Sequence, residues 1–273
     1  MKLSKLMKNK MMTTVGIFGM LIVMTSSAQI KKDNWYEVNE HLFKNVNSDH
    51  FNVFYIPDSL IEVNVNSLIE KREKSYQQIS DFLNLKTDKK INLYLFPSEQ
   101  LKFNITGHRG YGWGIENRIV EVYNDSIQLD HYHELAHILI YEINEPPAML
   151  DEGLAVYFSE KFGENSLVSL FGYPNKTIND VLRILRAKEE VISIHSLYEL
   201  KDISDAENVI MAYLQSASLV KYLVENFEKE KFLKLVSVSS KEDYQYNIHI
   251  YSEIYNHNLK TLEVNWLNWL NSN

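Results

Sequence analysis

The chain has 273 residues, no cysteine and a formal net charge of −8 at pH 7. This length is compatible with one large domain or with two small lobes around a cleft. The acidic charge and the lack of basic patches argue against nucleic acid or an anionic membrane as the main partner. Without disulfides, stability must come from the hydrophobic core.

The first 28 residues have the order of a secretory signal peptide. A basic start, an apolar core and small residues before the cleavage point follow one another: Lys2, Lys5, Lys8 and Lys10, then residues 15–24, then residues 26–28. The apolar run is diluted by Thr and Ser, whereas a spanning helix needs about 20 mostly apolar residues. We therefore expect cleavage after residue 28, export to the periplasm or the extracellular space, and no stable membrane association afterwards. Cleavage would move the net charge from −8 to −12.

Residues 29–273 are expected to form a single domain, strand-rich to about residue 127 and helical from about residue 128. Strands are predicted where β-branched and aromatic runs end at turn residues, and helices where apolar residues recur at helical spacing. The predicted strands are 51–56, 90–96 and 118–123. The predicted helices after the junction are 178–187, 206–227, 229–238 and 262–270, with one earlier helix at 59–85 and a short extended turn at 192–197. This segregation indicates an α+β fold with the functional centre at the junction.

The junction contains an H-E-x-x-H motif, His133-Glu134-Leu135-Ala136-His137, in an apolar segment that predicts a buried helix. Histidines at i and i+4 project from one face of a helix and can bind one ion, with Glu134 beside it as a base. Glu152, on the helix expected next, is the candidate third ligand. Three protein ligands leave a position open for water, as in catalytic zinc sites, whereas structural sites close all four. We expect one Zn²⁺ per chain.

A loop at residues 106–114 contains four glycines and lies shortly before the motif. Its backbone could approach a ligand closely, or it could be a mobile connection without a role. An exposed strand beside the metal would bind extended peptide by adding it to the sheet. Gly112, Trp113 and Gly114 are therefore candidate substrate-binding residues.

The segments HELAH, with His133, and DEGLA, with Glu152, resemble the gluzincin metallopeptidases, and the short layout is similar to their peptidase MA-like group. The resemblance implies a thermolysin-like catalytic domain with a strand-rich sheet, the motif helix and a helical C-terminal lobe. It also implies zinc-dependent hydrolysis of peptides or proteins, with Glu152 as the third ligand. Tyr213, 61 positions after Glu152, matches the family's catalytic tyrosine and would stabilise the oxyanion. Glu116, in a Gly-Ile-Glu-Asn segment, is similar to the residue with which the aminopeptidases of the clan bind a free amine.

One position departs from the thermolysin-like pattern, because Val156 stands where those enzymes have an aspartate that orients a zinc histidine. Asp130, Asp151 and backbone carbonyls are alternative partners for the second ring nitrogens. Two other functions stay open at this point. One is an aminopeptidase that uses Glu116, and the other is a catalytically silent secreted binding protein that retains the zinc site.

Overall fold

The computed structural model of this chain describes residues 34–163, 167–189 and 191–272. The predicted signal peptide, residues 1–28, lies outside these ranges and stays a prediction. Within the described ranges, no helix combines the length and the apolar character needed to cross a membrane.

A five-stranded sheet forms the first half of the described chain. Its strands are β1 (Lys44–Asn47), β2 (Phe51–Tyr55), β3 (Ile91–Phe96), β4 (Gly112–Ile115) and β5 (Arg118–Val122). The order across the sheet is β1-β2-β3-β5-β4. β2, β3 and β5 are parallel, and β1 and β4 are antiparallel to their neighbours at the two edges. Parallel neighbours need a crossover connection, which a helix supplies between β2 and β3.

Helices flank the sheet and form the second half of the chain. In order they are α1 (Trp35–Val38), α2 (Ser59–Leu83), α3 (Glu99–Thr106), α4 (His133–Tyr141), α5 (Ala148–Phe162), α6 (Leu167–Leu170), α7 (Ile178–Arg186), α8 (Ile194–Glu199), α9 (Val209–Asn226), α10 (Lys229–Val238), α11 (Tyr244–Tyr255) and α12 (Leu259–Ser272). Short 3₁₀ turns lie at Glu40–Leu42 and Ile203–Asp205.

The architecture is mixed α/β and compatible with the predicted α+β class, since every described strand precedes α4. The predicted strands correspond to β2, β3 and β5, and the long predicted helices are present. The extended turn predicted at 192–197 was wrong, because α8 occupies that segment. The Ser193 side chain accepts a hydrogen bond from the N–H of Ser196 and so caps α8. Ile194 and Leu197 are buried one turn apart, as the inner face of a helix requires.

The sheet is covered on both faces. Alternate residues of β2, beginning with Phe51 and Val53, enter the main core that α2, α4, α5 and α9 share. Phe54 points to the opposite face and stacks on Tyr94 at 4.8 Å between ring centroids. Trp35 from α1 packs edge-on against the same Tyr94, so the N-terminal segment covers this second face.

α5 and α9 approach each other backbone to backbone at Gly153. A Cβ added to Gly153 would lie 2.7 Å from the carbonyl oxygen of Ser216 and 2.9 Å from Cγ2 of Val220. Ser216 and Val220 of α9 form this contact and are fully buried. Any side chain at position 153 would therefore push the two helices apart.

We predict that Gly153→Ala destabilises the protein. Alanine in an ordinary helix interior is more stable than glycine by about 0.5–1 kcal/mol. Here overpacking should reverse the sign and lower the free energy of unfolding by about 1–3 kcal/mol. Thermal or urea unfolding followed by circular dichroism measures the change. An unchanged or raised stability would contradict the close contact between α5 and α9.

Candidate metal centre

The motif helix α4 begins at His133 and is buried along most of its length. His133 and His137 lie one turn apart, with ring centroids separated by 5.0 Å and ring planes nearly perpendicular. Their Nε2 atoms converge to 3.4 Å from each other. The helical spacing therefore brings the two imidazoles to one point, as the sequence predicted.

α5 brings Glu152 to the same point. Its Oε2 atom lies 3.4 Å from Nε2 of His133 and 3.5 Å from Nε2 of His137. The three donor atoms form a nearly equilateral triangle, and this group could hold a metal ion. Ligand bonds of about 2.0–2.2 Å in tetrahedral geometry separate the donor atoms by roughly 3.3–3.6 Å. The observed spacing fits that requirement.

The polar atoms of the cluster also fit a bound cation. Glu152 Oε2 is buried and, within the described residues, has no hydrogen-bond partner. A buried carboxylate oxygen without a donor is costly unless positive charge compensates it. Two imidazole nitrogens and one carboxylate oxygen form a donor set that transition metals accept.

The charges of the cluster favour a cation as well. Burial alone would lower the pKa of His133, but the adjacent Glu152 carboxylate outweighs it and raises that pKa. Burial would also lower the pKa of His137, but the charges of Asp151 and Glu152 outweigh burial and raise that pKa well above its usual value. Burial would raise the pKa of Glu152, yet the charges of His137 and His133 hold it below its usual range. The carboxylates therefore stabilise positive charge at this point, whether a proton or a metal ion carries it.

Asp151 is the partner that orients His137. Its Oδ1 atom lies 2.7 Å from Nδ1 of His137, and its Oδ2 atom accepts a 2.7 Å hydrogen bond from the Tyr141 hydroxyl. A carboxylate on Nδ1 leaves the Nε2 lone pair directed at the metal position. The structure thus selects Asp151 from the partners that the sequence left open, and it adds Tyr141. Tyr141 follows His137 by four residues, as His137 follows His133, so the sequence already indicated that Tyr141 lies on the same helix face.

Glu134 lies between the metal cluster and strand β4. Glu134 is buried, with only 8% of its surface exposed. A Cβ added to Gly114 would lie 3.4 Å from Oε2 of Glu134 and 3.1 Å from its carbonyl oxygen. Glycine at position 114 therefore lets the strand pass directly against the candidate base.

β4 is the edge strand and presents backbone groups outward. The N–H of Val122 donates to the carbonyl of Tyr111 at 2.7 Å, which makes these two residues a hydrogen-bonded pair. By the alternation of antiparallel ladders, Gly112 and Gly114 then direct N–H and C=O away from β5. No other strand of the described chain pairs with that side. Trp113, between the two glycines, packs on the opposite face of the sheet.

Glu116 lies at the turn between β4 and β5, where its φ of 55° is in the left-handed region. Its side chain is 70% exposed and forms a 2.5 Å ion pair with Arg118. A substrate amine at this carboxylate would have to compete with the guanidinium of Arg118. The role of Glu116 as an amine-binding residue stays a prediction.

Tyr213 on α9 lies near the carboxylates of the cluster. The residue is half-buried, and its ring is 6.5 Å from that of Phe171. Burial raises the pKa of its phenol well above the usual value, and the charges of Glu152 and Asp202 add to the shift. Its proximity to Glu152 follows from the α5–α9 contact, because Tyr213 precedes Ser216 by about one helical turn.

Comparison with protein-family models and with curated proteins found no match for this chain.

We predict that Asp151→Asn weakens metal binding by about 10- to 100-fold, the usual effect of losing a carboxylate that orients a ligand histidine. Competition between the purified protein and a chromophoric chelator for Zn²⁺ measures the affinity. Tyr141→Phe is the matched control, because it removes only the hydrogen bond to Oδ2 and should have a smaller effect. Equal affinities of Asp151→Asn and the wild-type protein would contradict the orienting role.

Proposed function

We propose that this protein is a zinc-dependent peptidase of the gluzincin type. One observation carries the proposal. Three donor atoms with mutual distances of 3.4–3.5 Å lie beside a buried glutamate, and that glutamate packs on the face of the edge strand β4 at Gly114. The strand-rich first half and helical second half are compatible with a thermolysin-like catalytic domain.

Zinc is the proposed ion because His133, His137 and Glu152 match the two-histidine, one-carboxylate set of catalytic zinc sites. Three protein ligands leave room for substrate and water. When bound, the ion would act as a Lewis acid that polarises the scissile carbonyl and makes a water molecule easier to deprotonate.

Glu134 is the proposed general base. Its carboxylate takes the proton of the attacking water and then delivers it to the nitrogen of the leaving amine. Its burial beside Gly114 excludes bulk water from one side of the carboxylate and restricts its rotamers. The base is therefore held in place before substrate arrives.

Strand β4 is the proposed peptide-binding element. An extended peptide would pair with the outward N–H and C=O groups of Gly112 and Gly114, as peptides do when they add a strand to a sheet edge. Gly114 faces α4, so a peptide backbone paired there would pass beside Glu134. Main-chain pairing of this kind is largely independent of side-chain identity.

Tyr213 is the proposed oxyanion stabiliser. Burial and the nearby carboxylates raise the pKa of its phenol, which keeps the hydroxyl protonated at neutral pH and able to donate a hydrogen bond. The substrate carbonyl oxygen gains negative charge as water attacks, and a donor placed there is worth about 3 kcal/mol. Export through the predicted signal peptide would place this activity in the periplasm or outside the cell.

We predict that Glu134→Gln retains the metal but loses peptidase activity by about 10²- to 10⁴-fold, the contribution of a general base. Digestion of a proteome-derived peptide library, read by mass spectrometry with and without a chelator, gives activity, metal dependence and cleavage preference together. Metal content is measured on the same samples. A Glu134→Gln variant with wild-type turnover would falsify the assignment of the base.

The same experiment separates the proposed function from its alternatives. Cleavage of N-acetylated as well as free peptides is expected of an endopeptidase, whereas an aminopeptidase fails on the blocked forms. Metal binding without cleavage of any library peptide would instead indicate a binding protein.

We predict that Tyr213→Phe lowers kcat by about 10²-fold, because a single oxyanion donor is lost. KM and metal affinity should stay close to the wild-type values, since the ring and its packing remain. Steady-state kinetics on a peptide selected from the library measure both constants. An unchanged kcat would remove Tyr213 from the proposed mechanism.

A further inference from the structure

Lys102 on α3 is a fully buried lysine outside the metal centre. Its exposed fraction is 0%. Within the described residues, no carboxylate lies within ion-pair distance of its ammonium group. A fully buried lysine without a carboxylate partner is uncommon, because long charged side chains are almost never fully buried unless they are paired.

Among the described residues, the ammonium group has one hydrogen bond and one cation–π contact, both with the segment that leads into and forms β4. Nζ donates a 3.1 Å hydrogen bond to the carbonyl of His108. It also lies 4.5 Å from the ring centroid of Trp113. The imidazole of His108 packs on the same indole at 4.3 Å. The indole of Trp113 thus contacts both Lys102 and His108.

Burial of this cation opposes folding. It lowers the pKa of Lys102 to about 8, although the charges of Glu99 on its own helix and Glu134 on α4 act in the opposite direction. At neutral pH the folded protein therefore holds a desolvated charge that the unfolded chain exposes to water. An apolar side chain of similar shape would avoid that cost, so packing alone does not account for a lysine here.

The contacts connect Lys102 to the substrate-binding edge. Trp113 lies in β4 between Gly112 and Gly114, and Gly114 passes within contact distance of Glu134. β4 is a four-residue edge strand with two glycines, which bring backbone freedom and no side chain for packing. A cation–π contact on its tryptophan adds a restraint on the face of the strand opposite α4.

We propose that Lys102 is a positioning residue that holds β4 in register for peptide binding through Trp113 and the His108 carbonyl. The expected effect on peptide binding rests on the proposed peptidase function. The contacts of Lys102 with Trp113 and the His108 carbonyl, called the clamp below, are a property of the fold alone. Within the described residues, Lys102 makes no hydrogen bond or ion pair with Glu134, and the two charges interact only at a longer distance. Its removal should therefore loosen the strand and weaken peptide binding without disturbing the chemical step.

Hydrogen–deuterium exchange of the full chain tests the clamp independently of activity. In Lys102→Met, the amides of residues 108–115 should exchange faster, while the melting temperature stays equal to that of the wild-type protein or rises. The effect of Lys102→Met should shrink in a Trp113→Leu background, because the two side chains act through one contact. Unchanged exchange at 108–115, or additive effects of the two substitutions, would overturn the proposal.

Lys161→Met is the matched control. Lys161 also lies over aromatic rings, 5.2 Å from the centroid of Tyr157, but at the far end of α5. Its loss should leave exchange at 108–115 unchanged. If Lys102→Met accelerates exchange equally in the core helix α9 and lowers the melting temperature, Lys102 is an ordinary core residue and the proposal fails.

Kinetics then test the functional consequence. Lys102→Met should raise KM for a library-selected peptide by about fivefold, the size of one cation–π contact, with kcat nearly unchanged. A fall in kcat with constant KM would overturn the positioning role. If the wild-type protein cleaves no peptide, the proposed function fails, while the exchange measurements still decide whether Lys102 clamps the strand.

Discussion

The contact of α5 with α9 at Gly153 determines where Tyr213 lies relative to the metal centre. Successive residues of a helix project about 100° apart, so neighbouring residues of α5 can contact both α4 and α9. Asp151 bonds the ring of His137, Glu152 reaches both histidines, and Gly153 allows α9 to approach. Close approach of α9 in turn brings Tyr213 near Glu152. A side chain at position 153 would displace α9 and with it the phenol, although every ligand of the cluster stayed in place.

Buried carboxylates around the metal centre are compensated in different ways, and the comparison shows which of them needs a cation. Glu121, beneath β4, is paired with Arg72 of α2, which also donates to the carbonyl of His131 just before α4. Asp151 accepts a hydrogen bond from Tyr141 on one oxygen and contacts His137 with the other. Glu152 Oε2 differs, because within the described chain it makes no hydrogen bond and has the two Nε2 atoms at 3.4 and 3.5 Å. A carboxylate oxygen left in that state is explained best by a cation.

The sequence was sufficient to predict elements that depend on local periodicity. It was not sufficient for features that tertiary contacts determine. The spacing of His133 and His137 and the apolar run between them were sufficient for a helix with converging rings. Residues 112–114 were predicted as part of a glycine-rich loop, and an exposed strand there was only an alternative, because two glycines disfavour a strand in isolation. Pairing with β5 overrides that preference. Lys102 carries no local signal of burial, since lysine in a helix is normally solvated. Asp151 could be proposed as an orienting residue, but only the crossing of α4 and α5 could select it.

The surroundings of the metal position come from both halves of the chain. β4, with Gly114 against Glu134, comes from the strand-rich half, and α9, with Tyr213, comes from the helical half. α4 lies at the junction and contributes the histidines and the base. The H-E-x-x-H helix alone could bind an ion weakly, but it could neither align a peptide nor surround the metal position on two sides. The proposed activity would therefore require the complete fold, and we expect substitutions that displace β4 or α9 to reduce turnover or peptide affinity while leaving the ligand triangle intact.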